Sequence, residues 1–174
     1  MVMEVIMKYL HYDLSEKEWD IQYKKWLDEF NSITNRLPKR FVKEFNKKHF
    51  HDNILDNLQI EKITQKSKNS YNLKIHLTDY YDESIKHIMT FTNVSKILTN
   101  MSFERFVGSC DWIYCEILPV DEKRMSFEVV LFDDSILYVE FAKLKYQKVY
   151  CAAKKLEGMW YHMHRRKGEE THAQ

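Results

Sequence analysis

The chain has 174 residues, 44% of them hydrophobic and 30% charged, and its net charge at pH 7 is +1. This length suits one globular domain, the scarcity of Gly (three) and Pro (two) excludes a loop-rich or disordered chain, and the near-neutral charge gives no reason to expect a polyanionic partner. Three cysteines without a CxxC motif predict reduced thiols in a cytoplasmic protein, and no apolar run approaches the ~18 residues that a membrane helix needs.

The first elements of the chain are an extension and a long helix. We expect residues 1–14 to form an N-terminal extension or a first strand, without a signal peptide, because charged residues interrupt the apolar ones and no cleavage site follows. Ser15 and Glu18 form a capping box and predict a helix over 15–36. The apolar stripe of this helix recurs at helical spacing: Trp19, Tyr23, Trp26, Leu27, Phe30, Ile33 and Leu37.

A second, shorter helix is predicted over 38–48, with Pro38 in its first turn. Phe41, Val42 and Phe45 point inward in this prediction. The opposite face is basic: Lys39, Arg40, Lys43, Lys47 and Lys48. Such a face could follow the phosphates of a nucleic acid, but it carries no interleaved aromatic residues. We therefore interpret it as a solvated helix face and expect no nucleic-acid partner.

From residue 53 onward the hydrophobic period changes from helical to alternating, which indicates β-strands. About six strands are predicted: 53–63, 71–77, 85–94, 111–118, 124–133 and 136–144. In the fourth of these, the alternation places one set of side chains together on one face, namely Trp112, Tyr114 and Glu116. Ile113, Cys115 and Ile117 then occupy the other face.

The remaining segments complete the predicted order. Residues 95–111 are interpreted as a long irregular connection, 146–164 as a C-terminal helix, and 165–174 as a mobile polar tail. Consecutive strands without crossover helices favour an antiparallel sheet. The sequence thus predicts a single α+β domain over 15–164, with N-terminal helices, a central antiparallel sheet of about six strands and a C-terminal helix.

The stretch HFHDN, residues 49–53, is the place in the chain where chemistry is most readily imagined. His49, His51 and Asp52 could contribute to a metal site, or Asp52 could orient a catalytic histidine elsewhere. The structural alternative is a junction between a helix and a strand. There Asp52 and His51 satisfy leftover backbone groups by hydrogen bonds, and Phe50 anchors the turn in the core.

Motifs for other chemistry are missing from the sequence. Three glycines cannot build a phosphate-binding loop, and neither GxSxG nor HExxH occurs. We therefore expect no catalytic residue, no cofactor and no metal. An oligomeric state does not follow from these patterns.

Four short motifs in order resemble an uncharacterised family of small bacterial proteins, known only as a domain of unknown function. These are an [LF]HD triplet (Phe50-His51-Asp52), MTFTNV (89–94), WIYCEI (112–117) and the hairpin FEVVLFDDSILYVEF (127–141). The resemblance implies no reaction and no cofactor. It singles out a candidate motif of six residues: Phe50, His51, Asp52, Trp112, Tyr114 and Glu116.

The [LF]HD opening and the strand layout are also similar to small β-rich immunity proteins, which neutralise toxins of bacterial competition systems. This resemblance implies a binding or protein-interaction module whose partner is another protein, without a membrane. The alternative, from a different class, is a metal-assisted hydrolase or nuclease-like enzyme that uses His49, His51, Asp52 and Glu116.

Overall fold

The computed structural model describes residues 7–10, 14–65, 68–101, 112–131 and 134–151. Two α-helices, joined by a 3-10 turn (Thr34–Arg36), precede eight strands. The helices are α1 (Glu16–Ile33) and α2 (Lys39–Lys48). The strands are β1 (Ile54–Gln65), β2 (Lys68–Thr78), β3 (Ile85–Val94), β4 (Lys96–Thr99), β5 (Trp112–Pro119), β6 (Met125–Leu131), β7 (Ile136–Phe141) and β8 (Lys143–Tyr150).

Helix α1 begins at the predicted capping box. The Ser15 amide donates to Glu18 Oε2 (3.0 Å), and the Glu18 amide donates to Ser15 Oγ (3.4 Å). Its stripe buries Trp26, Phe30 and Ile33. Helix α2 follows Pro38 and buries Phe41 and Phe45. Of the helices in the described part of the chain, none is long and apolar enough to cross a membrane.

The strands form two antiparallel sheets of four, and they hold about half of the described residues. The strand order is β1-β2-β3-β8 in the first sheet and β4-β7-β6-β5 in the second. The predicted α+β fold, with a single central sheet between N-terminal helices and a C-terminal helix, is therefore wrong. The described part of the chain is mostly β, and the two helices in it are short.

The division into two sheets arises where two paired strands bend. Only Ser95 separates β3 from β4, and only Ala142 separates β7 from β8. Backbone hydrogen bonds cross the bend, from Ser95 N to Glu140 O (2.9 Å) and from Ala142 N to Thr92 O (3.1 Å). Asn93, with φ of 53°, turns the chain just before it. The chain thus passes directly from β3 of the first sheet to β4 of the second, and from β7 of the second sheet to β8 of the first. The alternating hydrophobic pattern of the sequence continues almost unbroken through both bends.

Two further predictions are corrected by these strands. Residues 96–99 form β4, although 95–111 was expected to be irregular; residues 102–111 lie outside the described residues. The helix predicted over 146–164 is wrong over 146–150, because β8 pairs with β3 there. Leu144 and Tyr146 are buried while their neighbours are exposed, which is strand alternation. Residues 152–164 and the tail 165–174 also lie outside the described residues.

The core has two connected aromatic clusters. Between the sheets, the Phe91 ring lies 5.1 Å from Phe127 and 4.8 Å from Phe141. Under the helices, the Phe30 ring lies 5.3 Å from Trp26 and 5.1 Å from Phe45. Each such buried ring contributes ~1.5–3 kcal/mol of transfer free energy. The chain between α2 and β1, where HFHDN occurs, lies against the cluster under the helices.

Candidate functional site

The backbone of HFHDN adopts an unusual conformation. His49, Phe50 and Asp52 have φ angles of 49°, 57° and 67°, in the left-handed region that costs a non-glycine residue ~1–3 kcal/mol. Tight turns satisfy the amides: His49 N donates to Phe45 O (2.7 Å), and His51 N donates to Lys48 O (2.7 Å). The turn reverses the chain at the end of α2 and leads it into β1.

This junction is also joined to the start of β5 by two backbone hydrogen bonds. The Asp52 amide donates to Trp112 O (2.8 Å), and the Trp112 amide donates to Asn53 O (3.0 Å). The motif residues predicted from two separate stretches of sequence are thus neighbours in space. Asp52 contributes its backbone to this connection.

Phe50 is the anchor that the structural interpretation expected. Its side chain is buried, and its ring contacts four others at centroid distances of 5.2–6.0 Å. These rings are Phe41, Phe45, His87 and Tyr146. Phe50 therefore packs α2 against β3 and β8.

His49 is held among aromatic rings. Its imidazole lies 5.0 Å from the rings of Trp26 and Phe45, and its carbonyl accepts from Cys115 Sγ (3.0 Å). Burial lowers the pKa of His49, and the neighbouring His51 lowers it further. A neutral, packed imidazole is the consequence.

His51 and Asp52 form an ion-pair contact of 2.7 Å between Nδ1 and Oδ1. Their side chains are 47% and 43% exposed. The other Asp52 oxygen accepts from Tyr81 Oη at 3.5 Å. We expected these side chains to satisfy leftover backbone groups, but the contacts of the Asp52 carboxylate are with side chains. An ion pair this exposed contributes little, roughly 0–1 kcal/mol.

The predicted common face of Trp112, Tyr114 and Glu116 is broken by a bulge in β5. The pairing with β6 shifts between Trp112 and Tyr114. Trp112 consequently shares a face with Cys115 and packs against Phe127, at a ring distance of 5.6 Å. Tyr114 and Glu116 lie on the other face.

Glu116 anchors the N-terminal segment. Its side chain is buried, and its carboxylate accepts from the amides of Lys8 (3.1 Å), Tyr9 (2.9 Å) and Leu10 (2.5 Å). Charge-assisted hydrogen bonds of this kind are stronger than neutral ones. Glu116 lies opposite Glu128, a second buried glutamate in β6.

The residues of the metal-assisted alternative thus occupy different surroundings. His49 lies among the rings of Trp26 and Phe45, whereas Glu116 binds the amides of residues 8–10. Within the described ranges, no three His, Cys, Asp or Glu side chains are placed to share a metal ion.

A polar pocket adjoins the junction. It has a volume of about 180 Å³ and lies between the last turns of α2, the junction, the loop after β2, β3 and β8. Phe50 and Asn53 of the junction are among its lining residues. We call it the His87 pocket after its most buried ionisable side chain, which is 2% exposed.

His87 is hydrogen-bonded on one side only. Nδ1 lies 2.6 Å from Tyr146 Oη, whereas Nε2 lies 3.6 Å from Asp79 Oδ2 and has no hydrogen-bond partner among the described residues. The nearby carboxylate favours the tautomer with its proton on Nε2, so that Tyr146 donates to Nδ1. Burial lowers the pKa of His87, and Asp79 opposes this. Burial likewise raises the pKa of Tyr146.

Lysines and one glutamate line the rest of the pocket. Glu44 Oε2 lies 3.1 Å from Lys148 Nζ, and both side chains are 13% exposed; Glu44 Oε1 lies 3.1 Å from Lys47 Nζ. Burial alone would raise the pKa of Glu44, but the hydrogen bonds from the two lysines outweigh it and lower the pKa. Lys48 Nζ lies 3.7 Å from the centre of the Tyr81 ring, a cation–π contact.

The pocket and the junction both fall largely within one family region. A family model described as "Protein of unknown function (DUF4085)" matches residues 4–140. The chain belongs to the DUF4085 family. No curated protein matches it. The DUF4085 region contains Glu44, Asp79 and His87 but ends before Tyr146 and Lys148.

Sequence reasoning missed the polar residues of the pocket in this DUF4085 protein. A usable signal existed at His87, because it occupies a core-facing position in the alternation with Met89 and Phe91. A histidine in such a position needs polar partners. Asp79 and Lys148 carried no comparable signal, since each looks like an ordinary surface charge.

Proposed function

We propose that this DUF4085 protein is a protein-interaction module and that its binding surface surrounds the His87 pocket. The observation that carries the proposal is a set of three exposed tyrosines next to the pocket. Tyr80, Tyr81 and Tyr150 are 50%, 68% and 66% exposed. We call these three residues the tyrosine rim.

Contacts with pocket residues locate the tyrosine rim. The Tyr81 ring lies below Lys48, and the Tyr150 ring lies 5.8 Å from Lys148 Nζ. The Tyr80 ring contacts the Tyr81 ring edge-on at 5.3 Å. A backbone bond from Cys151 N to Ser84 O (2.7 Å) ties the end of β8 to the loop that carries the first two tyrosines.

Rings of this kind are well suited to binding a protein. Tyrosine buries a large area for little loss of side-chain entropy, and it is enriched among residues that dominate interface energies. Such residues are most effective around a pocket that becomes desolvated on binding. An exposed aromatic cluster at a pocket mouth therefore supports a protein partner more than isolated exposed tyrosines would.

Charge indicates the chemistry of the partner. The tyrosine rim is bordered by Lys48 and Lys148, and the basic face of α2 continues from it. Arg40 on that face reaches β8, with Nη2 3.4 Å from Lys148 O. The partner in this proposal therefore presents an acidic segment. The immunity-type version makes this partner a toxin, and it predicts a toxin-like gene beside the gene for this protein. No observation favours the metal-assisted alternative.

Cross-linking tests the proposal. A photo-reactive side chain introduced as Tyr81→p-benzoylphenylalanine should attach to one protein in the producing cells, which mass spectrometry identifies. Calorimetry with that purified protein should then show a loss of affinity of about tenfold or more in Tyr81→Ala and Tyr150→Ala combined. Tyr71→Ala is the matched control, because Tyr71 is 44% exposed at the other end of β2.

Two results contradict the proposal. One is the absence of a specific cross-link from position 81. The other is an identified protein whose affinity falls equally with the tyrosine-rim variants and with Tyr71→Ala.

A further inference from the structure

We infer that the His87 pocket receives a single acidic side chain, Asp or Glu, from the partner that binds the tyrosine rim. This inference rests on the proposed function and adds the group that the pocket recognises. It depends on three features of the pocket: its charge, an unused donor and its size.

The charged residues that line the pocket carry a net positive charge. Three lysines line it against two carboxylates, Glu44 and Asp79. Glu44 is bound by Lys148 and Lys47 at 3.1 Å each. Lys48, in contrast, has no carboxylate within ion-pairing distance in the described part of the chain, and it contacts the Tyr81 ring. An incoming carboxylate would pair with Lys48.

His87 supplies a second donor. His87 lines the pocket, and its Nε2 is buried and lies 3.6 Å from Asp79 Oδ2, too far for a hydrogen bond. Leaving a buried polar atom unbound costs free energy that a bound oxygen restores. In our proposal one oxygen of the carboxylate accepts from Lys48 and the other accepts from His87 Nε2–H.

Asp79 is the group that opposes an anion here. Its Oδ1 accepts from the amides of Tyr81 (2.9 Å) and Asp82 (3.1 Å). Its Oδ2 remains 3.6 Å from His87 Nε2. The preference for an acidic group is consequently moderate, and we expect a factor of about ten over a neutral group of the same shape.

The size of the pocket selects a side chain over a free cofactor. Its volume of about 180 Å³ is below the ~300–1,000 Å³ of pockets that enclose drug-sized ligands. One carboxylate with its methylene groups fits such a space. The tyrosine rim would then contact the partner's surface around it.

The test uses the full chain and two capped amino acids of equal shape, N-acetyl-glutamate N-methylamide and its glutamine counterpart. NMR follows the imidazole of His87, assigned with His87→Gln. We expect saturable shifts with the glutamate probe and binding about tenfold weaker with the glutamine probe. Lys48→Met should weaken the glutamate probe by a similar factor. Lys43→Met should not, because Lys43 is on the same helix but outside the pocket.

The outcomes separate this inference from the proposed function. Equal binding of the two probes, no binding of either, or no effect of Lys48→Met overturns the inference. If a partner is nevertheless cross-linked at position 81, the proposed function stands. If the glutamate probe binds as expected but no partner is cross-linked, the pocket recognises a carboxylate and the protein-partner assignment is wrong.

Discussion

Two neighbouring regions of this protein each place a histidine beside an aspartate, and they differ in every other respect. At the junction, His51 and Asp52 are adjacent in sequence, 2.7 Å apart and nearly half exposed. In the His87 pocket, Asp79 and His87 come from different elements, lie 3.6 Å apart and are 19% and 3% exposed. The two regions therefore differ mainly in burial, and we propose that the buried one takes part in binding.

The junction contributes stability mainly through Phe50, and Phe50→Ala should therefore be the most destabilising of the substitutions considered. Removing this buried ring leaves a cavity between α2, β3 and β8, so we expect the free energy of unfolding to fall by ~3–5 kcal/mol. Urea denaturation measures this. Tyr81→Ala, which removes a ring that is 68% exposed beside the His87 pocket, should change the same quantity by less than ~0.5 kcal/mol. Equal effects would remove the distinction between the two regions.

Glu116→Gln tests whether the Glu116 carboxylate in β5 holds the N-terminal segment in place. The amide group of Gln can accept fewer of the three backbone hydrogen bonds and carries no charge, so we expect a loss of ~1.5–3 kcal/mol. Hydrogen exchange should show faster exchange at the amides of residues 8–10. Glu122→Gln, in the exposed β5–β6 loop, is the control. If the two variants unfold at the same urea concentration, Glu116 does not anchor the segment.

Substitutions of Asp52 distinguish what its backbone contributes to the junction from what its side chain contributes. Its amide bond to Trp112 survives any substitution except proline, but its φ of 67° favours Asp, Asn or Gly. We therefore expect Asp52→Ala to cost ~1 kcal/mol, and Asp52→Asn and Asp52→Gly to unfold close to wild type. Thermal melts decide this. Asn as damaging as Ala would show that the carboxylate itself holds the turn.

Elements with local signals were predictable from the sequence. Helix α1 follows from a capping box and a seven-residue stripe, and α2 follows from Pro38 and its inward phenylalanines. The bends were not predictable, because single residues, Ser95 and Ala142, separate strands whose sequence pattern continues on either side. Lys143–Tyr150 fits a helical or a strand pattern, and pairing with β3 decides it.

In the candidate site, too, residues within local motifs were predictable and residues brought together by the fold were not. The sequence brought attention to Phe50 and Glu116, both of which the structure uses to hold elements together. The His87 pocket depends on contacts between α2, the loop after β2, and β8, which are far apart in sequence. A bulge at Trp112 moved one predicted face by one residue, and bulges leave no reliable mark in a single sequence.

The smallest effect concerns pH. The pKa values of His49 and His87 are lowered, mainly by burial, so the unfolded chain binds protons that the folded chain does not. The stability that depends on these two neutral histidines should be fully present above their unfolded-state pKa of roughly 6.5. It should decline as the pH falls toward their lower folded-state pKa values. Urea denaturation across this window measures the slope, and His87→Gln should flatten it. An unchanged slope would contradict a buried neutral His87.

The central claim is that the motif residues hold the fold and the tyrosine rim holds the partner. The most direct measurement is the affinity of the cross-linked partner for Glu116→Gln and Tyr81→Ala, below the melting temperature of both. The account predicts a Kd within about threefold of wild type for Glu116→Gln and a loss of about tenfold or more for Tyr81→Ala. The reverse order, with Glu116→Gln losing the partner and Tyr81→Ala retaining it, would contradict the account.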